Sequence, residues 1–207
     1  EVRNSTFMDN QNGILTANFD DAELVVRDSL FAQAPREGAN LPHLLYVGRI
    51  AKLTLAGSRL HRGYEGHLLK SRARESVITY NMIRDTGEGD ASYEIDLPNG
   101  GAATILGNVV GKGPRRQNPV LIAYGSEGAA WEHNELVLAH NTLINEGWLP
   151  AWFVRVFRDR VPMREEPLFV NNLVIGGGIF WLGASGWFAG NWPATLGMLR
   201  DMPTGAF

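Results

Sequence analysis

One arrangement of apolar and polar positions returns seven times along the chain. It reads apolar, two variable residues, Ser or Asn, any residue, apolar. It begins with Val2 to Phe7 and continues as Val26 to Phe31, Leu55 to Leu60, Ile78 to Ile83, Ile105 to Val110, Leu138 to Leu143 and Phe169 to Val174. The small polar position is Ser5, Ser29, Ser58, Asn81, Asn108, Asn141 and Asn172, at intervals of 24, 29, 23, 27, 33 and 31 residues. A fixed strand column with unequal gaps is what a solenoid produces: each coil adds one rung, and insertions go into the loops. Ser or Asn side chains stacked in register can bond from rung to rung, as Asn ladders do between other stacked parallel strands. A second apolar segment lies between successive columns, as in His43-Leu44-Leu45-Tyr46-Val47, His67-Leu68-Leu69-Lys70-Ser71 and Tyr93-Glu94-Ile95-Asp96-Leu97. Each coil therefore carries at least two strands, and turn signals such as Pro98-Asn99-Gly100-Gly101 separate them. No 3.6-residue periodicity persists long enough to predict a helix.

The pattern predicts an all-β, single-stranded parallel β-helix of about seven coils over residues 1–182, with residues 183–207 as a cap or a truncated continuation. A β-propeller would need four strands in each unit of roughly 40–45 residues, and leucine-rich repeats a denser Leu pattern with no Ser/Asn column. Because Val2 already reads as the start of a strand, residues upstream of Glu1 are expected.

Composition narrows the picture. Of 207 residues, 44% are hydrophobic and 20% charged, enough for one sizeable core. The net charge of -3 gives no basic field for nucleic acid. Absent cysteine removes disulfides and thiolate metal sites. Residues 168–199 carry no charge, but Asn171, Asn172, Gly176, Gly177, Gly178, Asn191 and Pro193 interrupt the roughly 20 apolar residues that a membrane span needs. A buried final coil is the expectation there, with Gly176-Gly177-Gly178 as a turn.

The repeated column, together with Gly66-His67-Leu68-Leu69-Lys70-Ser71-Arg72-Ala73 and Ser92-Tyr93-Glu94-Ile95-Asp96-Leu97-Pro98-Asn99-Gly100-Gly101, resembles the pectate-lyase-like superfamily of right-handed parallel β-helices. Bacterial right-handed β-helix repeat proteins are the nearest likeness. The resemblance implies a right-handed coil and a secreted, periplasmic or cell-surface protein that acts on carbohydrate. Lyases, hydrolases and non-catalytic adhesins share that fold, so chemistry must be argued from a site.

Strand alternation proposes such a site. With Leu45, Leu69 and Ile95 facing inward, Tyr46, Lys70 and Asp96 form an outward column on rungs about 4.8 Å apart, flanked by Arg72 and Glu94. His43 and His67 occupy equivalent places, expected on the inward face as a structural ladder. Uronate β-elimination needs charge neutralisation, a base and an acid. Lys70 or Arg72 can neutralise, Lys70 can act as base if its neighbours lower its pKa, and Tyr46 or His67 can protonate the leaving oxygen. Some β-helix lyases pair a Lys base with an Arg acid on the following rung; here that rung offers Glu94 and Asp96. Those two carboxylates, about 6.6 Å apart at Cα, equally suit a hydrolase pair or a calcium site, although no Asp-rich calcium loop accompanies them. A solvated charge ladder is the structural alternative. No cofactor is implied and no metal is assigned. The expected partner is an acidic polysaccharide, with cleavage by β-elimination, hydrolysis, adhesion and a structural solenoid all open. Trp131, Trp148, Trp152, Trp181, Trp187 and Trp192 fall late in the chain, where core or cap packing competes with stacking on sugar. Arg155, Arg158, Arg160 and Arg164, interleaved with Asp159, Glu165 and Glu166, read as a solvated loop or a groove wall.

Overall fold

The computed structural model describes residues 1–37, 40–183 and 185–200. It is a parallel β-solenoid with three strands to each full coil. In chain order the coils are β1 (Val2–Arg3), β2 (Thr6–Met8) and β3 (Asn12–Leu15); β4 (Phe19–Arg27), β5 (Leu30–Ala32) and β6 (His43–Val47); β7 (Ile50–Ala56), β8 (Arg59–His61) and β9 (Leu69–Ser71); and β10 (Glu75–Thr79), β11 (Met82–Arg84) and β12 (Ile95–Leu97). There follow β13 (Ala102–Leu106), β14 (Val109–Lys112) and β15 (Val120–Tyr124); β16 (Glu135–Ala139), β17 (Thr142–Asn145) and β18 (Ala151–Val156); and β19 (Leu168–Val170), β20 (Leu173–Ile175) and β21 (Gly178–Leu182). The stacking runs on past residue 182 through β22 (Trp187–Ala189) and β23 (Trp192–Ala194), which pair with β19 and β20 before the short helix α1 (Leu196–Arg200). Every third strand pairs in parallel, giving sheets A and B of eight strands and sheet C of seven. Among the described residues no helix is long and apolar enough to cross a membrane.

The repeated sequence pattern marks the corner between sheets A and B. Its first apolar residue is the next-to-last of a sheet A strand and its last is the second of a sheet B strand. Val26, Leu55, Ile78, Ile105, Leu138 and Phe169 stack in register inside sheet A, and all are fully buried. Phe31, Leu60, Ile83, Val110 and Leu143 do the same inside sheet B, and Leu45, Leu69, Ile95, Ile122 and Val154 inside sheet C. One coil cannot bury both sides of these side chains; its neighbours do.

The Ser/Asn column holds the corner together. The backbone N–H of Ser58 donates to Asn81 Oδ1 at 2.8 Å, that of Asn81 to Asn108 Oδ1 at 2.9 Å, and that of Asn108 to Asn141 Oδ1 at 2.9 Å. Ser5 and Ser29 extend the ladder downward through hydroxyl acceptors, and Asn191 adds an eighth rung above Asn172. A left-handed residue precedes every member: Asn4, Asp28, Gly57, Tyr80, Gly107, His140, Asn171 and Gly190 have φ between 47° and 67°. That single residue reverses the chain from sheet A to sheet B. The Ser or Asn after it supplies the acceptor that a buried N–H requires.

Candidate functional site

The outer face of sheet C carries the predicted column in register. Tyr46 pairs with Lys70, Lys70 with Asp96, Asp96 with Ala123 and Ala123 with Arg155. The column is not displayed to solvent as alternation suggested. The side chains of Lys70 and Asp96 are 10% and 2% exposed, because the loop after β15, residues 125–134, folds back over them. Glu127 from that loop sets Oε1 2.9 Å from Lys70 Nζ and Oε2 2.7 Å from Arg72 Nη2. Lys70 Nζ also lies 3.4 Å from Asp96 Oδ2. Arg72 donates from Nε to the Tyr46 hydroxyl at 2.9 Å and from Nη1 to Asn99 Oδ1. Ser126 Oγ donates to Asp96 Oδ1 at 3.3 Å. Tyr46, Lys70, Arg72 and Asp96 thus form one connected network, with Glu127, Ser126 and Asn99 as members that sequence reasoning did not find.

His43 and His67 form a ladder, but on the outer face. Their rings stack at 4.8 Å between centroids, and the His67 ring lies tilted against Tyr93 at 4.8 Å. The backbone N–H of His67 donates to His43 Nδ1 at 2.9 Å, and that of Tyr93 to His67 Nδ1 at 3.3 Å. With Nδ1 an acceptor, the ring proton of His67 sits on Nε2, 3.4 Å from Asp96 Oδ2. Burial, then the charges of Lys70 and Arg72, lowers the His43 pKa to about 4. Burial, then His43 and Lys70, lowers that of His67 to about 2. Burial raises Asp96 to about 6 against the opposing pull of Lys70. For Glu127 burial acts upward, but the hydrogen bonds and charges of Lys70 and Arg72 prevail and its pKa is lowered.

Glu94 is a correction. Alternation placed it beside Asp96 on the solvent face; it is fully buried in the core. At the corner leading into sheet C two successive residues turn inward, so alternation resets. Leu44 and Leu45 both donate backbone N–H groups to the next coil and both are buried, and Leu68 with Leu69 repeats this. Glu94 therefore occupies an inward column with Leu44, Leu68 and Leu121. Lys112 Nζ approaches Glu94 Oε2 at 3.1 Å. The ammonium is directed at the carbonyls of Ser92 and Ala91, at 2.7 and 3.3 Å, so neither carboxylate oxygen has an aligned hydrogen bond. Burial drives the Glu94 pKa up to about 8. Asp85, also buried and raised by burial, accepts the N–H groups of Gly63 and Ala91 at 2.9 Å each. Glu94 and Asp96 lie on opposite faces of the sheet. They cannot flank one glycosidic bond or share one calcium ion, and among the described residues no cluster of three or more His, Asp or Glu is arranged to hold a metal.

Higher on the same face, Arg155 lies over Trp152 and Phe157, at 5.1 and 4.3 Å from their ring centres, with no carboxylate in ion-pair range among the described residues. Arg158 pairs with Glu166 at 2.9 Å, and Trp131 donates its indole N–H to the Arg72 carbonyl at 3.2 Å. The segment after β18 thus carries an ion pair, whereas Trp131 belongs to the loop after β15. No family model, no curated protein and no solved structure matches this chain.

Proposed function

We propose that the outer face of sheet C binds an acidic polysaccharide. The observation that carries this reading is the ordering of Tyr46, Lys70, Asp96 and Arg155 in one register column, with Arg72 beside Lys70. Rungs about 4.8 Å apart place Lys70 and Arg155 about 14 Å apart along a straight line. An extended, repeating anion held at Arg155 can meet both once it replaces Glu127 at Lys70. Trp152 and Tyr93 add ring faces of the kind that pack against sugars. This reading goes with the right-handed coil usual for parallel crossovers, with a pectate-lyase-like ancestry, and with a secreted, periplasmic or cell-surface location.

The test is affinity electrophoresis through gels containing polygalacturonate, alginate or hyaluronan, with dextran as the neutral control. Retardation is expected in at least one acidic gel and not in dextran, weakened severalfold by Arg155→Ala and by added salt. Among the described residues Arg155 has no ion-pair partner to strand, and a cooperative melt of the variant checks that the fold is kept. Equal mobility in all gels refutes the proposal.

One geometric detail favours a cleavage step. Because Arg72 Nε donates to the Tyr46 oxygen, the phenolic proton remains available to a leaving oxygen. Were β-elimination to occur, acidic polymers would yield the ultraviolet absorbance of unsaturated uronates, and Tyr46→Phe would abolish it. No absorbance on any acidic polymer makes the face a binding surface only.

A further inference from the structure

Lys70 in β9 and Arg72 just past its end turn both charged ends on a single carboxylate from a distant part of the chain. Glu127 gives one oxygen to each cation, at 2.9 and 2.7 Å. The backbone behind it is fixed. The N–H of Glu127 donates to the Pro98 carbonyl and that of Gly125 to the Leu97 carbonyl, each at 2.8 Å, and Asn99 Nδ2 donates to the Gly128 carbonyl at 3.1 Å. The Glu127 side chain, by contrast, is 44% exposed, whereas Lys70 behind it is 10% exposed. The carboxylate is therefore the outermost, most replaceable part of the network. Rotation about its own side-chain bonds releases it without moving the loop, and water compensates an exposed carboxylate readily. The cations left behind, one compact ammonium and one planar guanidinium, match the two oxygens of any carboxylate.

We propose that Glu127 is the protein's own occupant of a carboxylate seat formed by Lys70 and Arg72, and that a ligand carboxylate binds there by displacing it. The identity of the ligand as an acidic polysaccharide rests on the reading above; the seat itself requires only a carboxylate. Glu127 then sets a threshold. As a tethered competitor it is present at high effective concentration, so isolated carboxylates do not dislodge it, whereas a polymer held elsewhere on the face can.

The experiment uses Glu127→Ala and the native chain, with sodium acetate as the probe against sodium chloride at equal ionic strength. Glu127→Ala melts at a lower temperature than the native protein, and acetate raises its melting temperature more than chloride does. The native protein shows no difference between the salts. Polygalacturonate binds Glu127→Ala about tenfold more tightly than the native chain, the gain expected on removing a tethered competitor. If acetate and chloride act alike on the variant, the ion pair is merely structural and the proposal falls. If acetate is selective but polygalacturonate binds neither protein, the seat stands and the polysaccharide reading falls. Should Glu127→Ala lack a cooperative transition, Glu127→Gln, which keeps the size and removes the charge, is read in the same way.

Discussion

Glu94→Gln tests whether a buried carboxyl limits stability at alkaline pH. Burial is the largest influence on Glu94; Lys112 opposes it and Asp85 reinforces it, leaving a pKa of about 8 against 4.5 for an ordinary glutamate. Between those values the folded chain holds a proton that the unfolded chain has released. Stability is therefore fully present below pH 4.5 and falls as pH rises toward about 8. Other groups obscure the lower part of this window. Asp96, raised to about 6, acts in the same direction but is spent near that pH. His43 and His67, depressed to about 4 and about 2, act oppositely, because the unfolded histidines take up protons below 6.5. The contributions of these histidines, and of His61, which burial also lowers, fade within about one pH unit above 6.5, so Glu94 dominates from about pH 7 upward. At about 1.4 kcal/mol per pH unit, Glu94 removes about 1 kcal/mol of stability between pH 7 and 8. In Glu94→Gln, which keeps the shape and cannot ionise, most of that loss vanishes, leaving whatever Asp85 contributes in the same direction. Urea unfolding of both proteins at the two ends of the window measures the difference. Parallel stability–pH lines for the two proteins refute the reasoning.

Asn108→Ala removes an acceptor for the Asn81 backbone N–H and a donor to the Ile78 carbonyl, both inside the stack. With two buried groups unpaired, a loss of about 2–4 kcal/mol is expected in the urea midpoint; a loss below about 1 kcal/mol would mean that water enters the corner. Gly107→Ala forces a side chain onto φ +67°, with its Cβ 2.6 Å from the Tyr80 ring, whereas Gly87 has open space around it. Thermal unfolding should show a cost of about 1–2 kcal/mol for Gly107→Ala and little for Gly87→Ala, and equal effects would discount the left-handed turn.

The coils were legible because each repeats one local pattern whose two apolar ends fill the core. What the pattern concealed is that the Ser/Asn residue stands at a corner rather than within a strand. Glycine would have announced that corner, but Tyr80, His140 and Asp28 occupy the left-handed position in three of the coils. The same kind of local break misplaced Glu94. Alternation is sound from Leu45 to Val47 and fails at Leu44, one residue before it. The clue was present in the Leu44, Leu68 and Leu121 column, where a lone Glu among leucines marks an inward position. The Tyr46–Lys70–Asp96 column survived because register passes undisturbed through β6, β9 and β12. Glu127 was out of reach: it lies 57 residues from Lys70 in sequence, in a loop whose path no periodicity constrains.

The site also follows from where this solenoid spends its extra length. Between sheet C and the next sheet A strand, the early coils use two to four residues, as at Gly48–Arg49 and Pro98–Gly101, but residues 125–134 and 157–167 make connections of ten and eleven. Long loops cost a stacked fold little, since closure entropy grows slowly with length and neighbouring rungs still pair. These two brace one another. The Ala129 backbone N–H donates to the Arg160 carbonyl at 3.2 Å, and Val161 packs against Gly125 so closely that a Cβ there would lie 2.4 Å from it. Trp131 reaches the Arg72 carbonyl, and Glu127 reaches Lys70 two rungs below its own strand. The rungs thereby supply a regular column of side chains. The inserted loops supply Glu127, the carboxylate that pairs with Lys70 and Arg72 beside that column, and a ligand taking the proposed seat must meet both.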